Sequence, residues 1–499
     1  MTGRLFMILL AAALWLSSCK GHMTQDLSDV NSVEDLRGHS VAVAMGGSYD
    51  LMLSEIGGVD IVRLSLGELL VAVEKGRAEF CILDQYQAAM LNLQSRGLEI
   101  KFKNILKGTA GAGFRKEDSL LCRGFNDHLK RIIDCGEYDS WLDEWKAAPD
   151  SMAYASFAVP RHEAEPGRRA LHVGITINYP YLFLKDNRLT GIEVDFFNRF
   201  CEEAGYAVDY EIYDFSALIP ALNSGKIDVI LSHMRMTEER ARQVLFSNPY
   251  IEGGGAAVCR SAEGGAAGVR AGFLDRMKES FRNNLVEEQG WRLMADGLWV
   301  TIRISVLSIL AAVMAGAALC RLRMSRRRMV SLPTGIVIDV LRGIPLLVIL
   351  MLMFYVIFAS SRMTGTWVTV MSFGLYYGAY FGEVFRTGME SVDKGQWEAG
   401  SALGMSRFQV FRKIAFPQAL GRIIHVLKGE VIALIKMTSV VGYVAVVDLT
   451  KASDIIRART LDAFFPLILV SVVYILLAWL TGMGLETIER QLTSKSRRL

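Results

Sequence analysis

The sequence predicts a multidomain chain in which a mixed α/β half is followed by an all-α, membrane-embedded half. Three observations carry that expectation. The chain has 499 residues, too long for one core when domains run to roughly 100–200 residues. Between about residues 25 and 260, short β-rich runs alternate with helix-length amphipathic segments. Beyond residue 293 the character changes to five apolar stretches of roughly 20 residues each, and hydrophobic residues make up 52% of the whole chain.

The first twenty residues combine Arg4, an apolar run from Leu5 to Leu16, and Leu16-Ser17-Ser18-Cys19. That run is short for a bilayer span, so a secretory signal is expected. Its end resembles a bacterial lipobox, which would make Cys19 a lipidated N-terminus; an ordinary cleaved signal and an uncleaved anchor remain alternatives. Each of these exports the α/β half. Cys81, Cys122, Cys135, Cys201, Cys259 and Cys320 show neither CxxC pairs nor histidines at metal spacing, so no metal site is expected. The net charge of +3 gives no general attraction to nucleic acid.

In the exported half, Ser40 to Met45, Glu79 to Leu83, Leu171 to Ile177 and Ile227 to Ser232 are candidate strands. Gly67 to Lys75, Ile192 to Ala204 and Phe215 to Ser224 are candidate helices. Such alternation predicts mostly parallel sheets with ligands at the strands' C-terminal ends. Pro149, Pro160 and Pro166 mark a linker over 147–169, and a Gly- and Ala-rich run starting at Ser261 marks a second.

The apolar stretches are approximately Met294 to Cys320, Gly335 to Ala359, Trp367 to Phe385, Ile423 to Val447 and Leu461 to Met483. An odd number puts the two ends on opposite sides. The arginine cluster Arg321, Arg323, Arg326, Arg327 and Arg328, the basic loop after the third stretch, and the tail Lys495, Arg497, Arg498 then share one side. By the positive-inside rule that side is cytoplasmic, and the α/β half faces out.

Between the third and fourth stretches stands Glu398-Ala399-Gly400, then Gly404 after three residues, Ile414 after nine more, and Pro417. This resembles the EAA signature of ABC importer permeases, with Gly for its third residue and Phe416 for Leu. The resemblance implies a cytoplasmic coupling helix gripped by a separate ATPase subunit. Small residues permit close helix approach, Gly404 permits a reversal, and Pro417 suits a first helical turn. Arg342 to Leu347, Gly378-Ala379-Tyr380, Gly395 to Glu398 and Lys436 to Gly442 resemble the histidine, glutamine and arginine permease type over about residues 296 to 490. Asp339, Arg342, Glu383, Glu430 and Lys436 are ionisable groups in or beside apolar stretches, where such groups face a bundle interior or a water path, with interfacial snorkelling the alternative for Arg342, Glu383 and Arg386.

The segment from Glu34 to Asp50, with Gly46-Gly47-Ser48, resembles the opening of the second lobe of polar amino-acid binding proteins. Asp84 matches the family position that takes a ligand's α-ammonium, although a strand-end Asp also caps helices. Gly113 to Lys146 resembles the closing helices that normally finish such proteins. The stretches beyond them resemble the first lobe: Val173 to Thr176, Tyr179-Pro180-Tyr181, Gly191 to Asp195, Asp228 to Arg240 and Phe246 to Tyr250. By this resemblance Arg240 forks onto the α-carboxylate, a task that a planar guanidinium suits. Tyr179 stacks on the ligand side chain, or is core, and Ser232, Thr237, Gly47 and Ser48 complete the site. His233 and Arg235 depart from the family, and Arg235 could block the pocket. Thr176 stands where binders of cationic amino acids can carry Asp, which favours an acidic or neutral polar ligand.

The expected order is thus 1–19 signal and lipobox, 25–146 second lobe with closing helices, 147–169 linker, 170–260 first lobe, 261–292 linker, 293–490 permease domain and 491–499 cytoplasmic tail. The exported half would be a two-lobed, periplasmic-binding-protein-like (type II) α/β domain, circularly permuted, with two degenerate half-domains as the competing account. The resemblance implies a bacterial inner-membrane importer subunit for small polar amino acids, a non-enzyme working by alternating access. It would act with a dimer of ATPase subunits, a second permease copy and membrane lipid. Lacking Gly-x4-Gly-Lys-Ser/Thr, the chain is expected to hold no cofactor, ATP and Mg being bound by the partner ATPase. An amino-acid-gated channel and a membrane sensor are the rival readings; no selectivity-filter sequence stands between the apolar stretches.

Overall fold

The structure is a computed structural model that describes residues 27–147, 169–261 and 273–496, less 28, 92, 180, 186, 187, 287, 288, 360, 362, 461 and 463. The expected signal with Cys19, residues 148–168 of the first linker and residues 262–272 of the second lie outside the described residues, and the rest of the second expected linker is largely helical, over Phe273–Phe281 and Arg282–Val286. The chain divides into two compact units. One comprises Met1–Ser65, Leu69–Leu106 and Gly254–Arg270; the other comprises Leu66–Glu68, Lys107–Gly253 and Ala271–Leu499.

The first unit is built on a five-stranded sheet of β1 (Ser40–Ala44), β2 (Asp60–Leu64), β3 (Phe80–Asp84), β4 (Leu98–Ala110) and β12 (Ile251–Arg260), in the order β2-β1-β3-β12-β4. β1 runs parallel to both β2 and β3, while β12 runs antiparallel to β3. Val41, Val43, Phe80, Ile82 and Ala257 are buried with Leu36 and Leu53 from outside the sheet. These near-continuous apolar runs are what a sheet covered on both faces requires.

The second unit repeats the arrangement. β5 (Gly113–Phe114), β6 (Ala170–Ile175), β9 (Ala207–Ile212), β10 (Val229–Leu231) and β11 (Leu245–Phe246) lie in the order β11-β5-β10-β6-β9. β7 (Phe183–Lys185) and β8 (Arg188–Thr190) form a separate hairpin. β6 is parallel to β9 and β10, and β5 is antiparallel to β10. Each sheet therefore has its first three parallel strands in the order 2-1-3, with an antiparallel strand beside the third.

The lobe boundaries differ from those read off the sequence. The helices Ser119–Asp134 and Glu137–Ala147, placed with 25–146, fold in the second unit. The reason is apolar. Phe125 packs on Phe114, Phe196, Phe197, Phe200 and Tyr250, so this helix closes the core around β6. Conversely, the end of β12 belongs to the first unit, although 170–260 was expected to be one lobe.

Beyond Ala271 the second unit is helical. Gly290–Arg323 and Phe465–Thr487 are long and apolar enough to cross a membrane on their own. Two further spans arise only if bent pairs count as one: Arg328–Gly343 with Leu346–Ile357, bent by 105°, and Arg407–Val444 with Leu449–Thr460, bent by 52°. By length and composition the described helices thus supply two spans, or up to four with the bent pairs, against the five apolar stretches expected. The first break falls at Pro345, which lacks a backbone N–H. The expected third span is a continuous helix, Gly365–Glu390, diluted in apolar character by Tyr376, Tyr377, Tyr380, Glu383 and Arg386. It packs tightly on Gly290–Arg323. A methyl group added at Gly374 or Gly378 would stand 2.6 Å from the Cβ of Ala311 or Ala315, respectively, so the backbones approach over a small-residue seam.

Candidate functional site

In the second unit, the expected carboxylate-binding residues gather at the C-terminal end of β10, where an open α/β sheet places its ligands. Ser232 directly follows β10 and is 2% exposed, and its Oγ has no hydrogen-bond partner among the described residues. Such an orphan is costly unless something else occupies it. Thr237 caps the short helix Glu238–Ala241, its Oγ1 accepting from the Arg240 N–H at 3.3 Å. Arg240 is 7% exposed, donates from Nη1 to the Arg235 carbonyl at 3.1 Å, and lies over the Phe215 ring at 5.1 Å. Burial pushes the guanidinium's pKa down, and the Glu239 carboxylate opposes this. A guanidinium remains charged under such shifts and presents a planar fork to a carboxylate.

The turn that follows β10 is held at His233 by a buried network that sequence reasoning did not identify. Glu193 is fully buried; its Oε1 accepts from the Tyr250 hydroxyl at 2.6 Å and its Oε2 from the His233 N–H at 2.7 Å. Burial raises its carboxyl above the ordinary range, with the His233 ring and the Tyr250 hydroxyl opposing. The His233 ring stacks flat on Tyr181 at 3.7 Å, and the residue has φ +45°. Arg235 lies along the backbone at Gly108, where a methyl group would meet its Nη1 at 2.8 Å. Tyr179 is half-buried with its ring edge-on to Phe183 at 5.1 Å. Thr176 donates from Oγ1 to the Tyr213 carbonyl at 3.2 Å.

In the first unit, Gly46 (φ +70°) and Gly47 lead into the helix Ser48–Ile56. Ser48 stands at the start of that helix. The Gly46 N–H donates to Asp50 Oδ2 at 3.1 Å, and Asp50 also meets Arg63 at 2.8 Å, so an acidic side chain already occupies part of this turn. Asp84 ends β3 and caps Gln85–Met90, its Oδ1 accepting from the N–H groups of Tyr86 at 2.9 Å and Gln87 at 3.4 Å.

The EAA-like residues form a compact helical turn. Asp393 caps Lys394–Ala402, accepting from the Gly395 N–H at 2.6 Å. Gly400 is buried, and a methyl group there would meet Val410 at 2.8 Å and Ile414 at 3.3 Å. Gly404 follows the helix with φ +77°, a conformation that costs any other residue energy. Ser406 and Gln409 make a reciprocal capping box at the next turn. Pro417 occupies the first turn of Phe416–Met437. Glu398 and Ala399 are exposed, as are Leu403 (81%) and Phe408 (67%), which present bare apolar surface.

The sequence profile of the bacterial extracellular solute-binding proteins, family 3, matches residues 171–414. A glutamine transport system permease protein of Rickettsia bellii is 32% identical over 204 residues, 40% of this chain and 92% of the relative. The L-cystine transport system permease protein TcyB of Bacillus subtilis is 31% identical over 211 residues, 42% of this chain and 90% of the relative. A crystal structure of an amino acid ABC transporter with histidines is 28% identical, with a TM-score of 0.39, over 45% of this chain and all of the other.

Proposed function

Because this chain belongs to the amino-acid ABC transporter permeases and carries a solute-binding domain as well, we propose that it is the membrane subunit of an ATP-driven importer that captures its own amino acid. The observation that carries the reading is the turn from Lys394 to Pro417. It is capped at both helix starts, it interrupts apolar helices, and it holds Leu403 and Phe408 largely exposed. A surface of that kind fits a partner. In this reading the partner is a separate ATPase that binds ATP and Mg, and its closure drives alternating access in a permease dimer. The turn and the basic clusters lie in the cytoplasm, while the α/β half, up to about residue 260, lies outside the inner membrane. Counting Gly365–Glu390 and the two bent pairs, the membrane half crosses five times.

Arg240 takes the α-carboxylate of the captured amino acid, with Ser232 and Thr237 beside it and Tyr179 against the ligand side chain. By the sequence resemblance Asp84, Gly47 and Ser48 are the proposed ligand residues of the first unit, considered by itself. The ligand is neutral or acidic, since Thr176 supplies no charge for a cationic side chain. The domain is one circularly permuted, type II binding domain. Its support is that the solute-binding profile begins at residue 171, beside the start of β6. Each sheet also takes its antiparallel strand from the segments that pass between the units.

The test is purification of the tagged chain from its native membranes. An ATP-hydrolysing subunit should come with it, and Leu403→Asp should abolish that association while the chain itself stays folded. Equal ATPase recovery with Leu403→Asp would refute the coupling role. A thermal-shift screen of the full chain in detergent against single amino acids identifies the ligand.

A further inference from the structure

We infer that the lobe built on β6 is held on the permease half of its own chain by a two-point polar latch, Lys226 and Asp214. This rests on the reading of the chain as a permease fused to its binding domain, but not on transport. Lys226 stands between the helix Leu218–Asn223 and β10 and is 9% exposed. Its Nζ donates to the carbonyls of Phe358 at 2.6 Å and Ser361 at 2.8 Å, and it lies 4.7 Å from the centroid of the Phe354 ring. Phe358 is the C-terminal cap of the helical stretch from Leu346 to Ile357, where the helix dipole is negative, and Ser361 follows in the next turn, its N–H and Oγ also donating to the Phe358 carbonyl at 3.1 Å each. The ammonium thus joins this turn as a further donor and complements the helix dipole. Burial lowers the pKa of this amine, and the Glu211 carboxylate opposes the shift.

The second point is an ion pair, Lys451 Nζ to Asp214 Oδ1 at 2.5 Å, with Lys451 8% exposed. Lys451 belongs to Leu449–Thr460, the helix after the second bend. Between the two points, Tyr213 and Leu218 share one apolar cluster with Leu350, Phe354 and Val441. The pair is buried at its lysine end only, the Asp214 side chain being 40% exposed; moving the lobe away would strand the buried Lys451 ammonium without its carboxylate, and that gives register. The latch also touches the ligand machinery, since Phe215, next to Asp214, is the ring under Arg240. The lobe holding Arg240 thus stays on the permease throughout the cycle.

The experiment uses the full chain in detergent, with a protease site inserted among residues 262–270 and a tag at the C-terminus. After cleavage, the N-terminal piece should remain on the tag. Asp214→Lys should release most of it, and Asp214→Lys with Lys451→Glu should restore retention; any lipid on the N-terminus is common to all three proteins. Release from the unsubstituted chain, or full retention with Asp214→Lys, overturns the latch. Should Asp214→Lys misfold, carbodiimide coupling of the unsubstituted chain decides: an amide joining Asp214 to Lys451, found by mass spectrometry and absent in Lys451→Met, supports the latch, and its absence refutes it. Neither readout needs an amino acid or an ATPase, so failure here leaves the importer reading standing.

Discussion

At the residue scale, Arg240 combines near-complete burial with a fork that rests on an aromatic ring, and Ser232 beside the same strand end has a hydroxyl unpartnered among the described residues. Arg240→Met removes the charge but keeps the stem, and should weaken amino-acid binding by about 2–5 kcal/mol, the cost of truncating one partner of a buried charge pair. Titration calorimetry on the full chain measures this; unchanged affinity would remove Arg240 from the site. His172 gives a separate test, of stability. The Asp209 carboxylate, 3.6 Å from Nδ1, raises the imidazole's pKa, with burial opposing and Glu211 adding to the rise. The folded chain therefore holds that proton more tightly than the unfolded chain does. The resulting stability is complete below the unfolded value of about 6.5 and is lost as pH rises through the folded value. The melting-temperature advantage of the unsubstituted chain over His172→Gln should be full below about pH 6.5 and shrink as pH rises above it. A constant difference would show that the pair contributes nothing.

At the scale of elements, the membrane half depends on how closely two helices can lie. Gly374, Gly378 and Gly382, four residues apart, let Gly365–Glu390 settle on Ala311, Ala315 and Leu319 of Gly290–Arg323. In lipid such packing replaces the hydrophobic drive that operates in water. Gly378→Leu should separate the pair and cost at least the 1–3 kcal/mol typical of overpacking, roughly estimated from soluble cores. Loss of a monodisperse species on size exclusion is the expected sign, whereas Gly484→Leu, at a position with open space around it, should be tolerated. The turn after this pair follows the opposite logic. It is fixed by caps at Asp393 and Ser406, so its exposed apolar residues are held in place without being packed.

At the scale of the whole molecule, the two sheets share one strand pattern, and the chain passes between them at Leu106 and again at Gly253. A single permuted domain makes a direct prediction. A chain in which 169–261 precedes 27–147, joined by a short linker and expressed without the membrane half, should fold and bind the same amino acid as the full protein. Two non-interacting products on limited proteolysis, with no ligand-induced thermal shift, would favour degenerate half-domains instead.

Local decisions were legible in the order of residues alone. Alternating β-rich runs and amphipathic segments located β1, β3, β6 and β10 to within a residue or two, and Ile192–Ala204 at its observed bounds. The spacing from Glu398 to Pro417 could be read because caps, a positive-φ glycine and a first-turn proline are set by nearest neighbours. Packing in three dimensions settled whatever depends on residues far apart in the chain. β4 and β12 are long strands whose membership of a sheet is settled by pairing, as Ala256 pairs with Leu83. The helices before the first linker belong with β6 because Phe125 finds its aromatic partners there. Apolar length alone could not reveal that two expected spans bend, nor that Lys226 reaches the carbonyls of Phe358 and Ser361. Periodicity reports the environment of a face, whereas long-range pairing energies choose the neighbour that fills it.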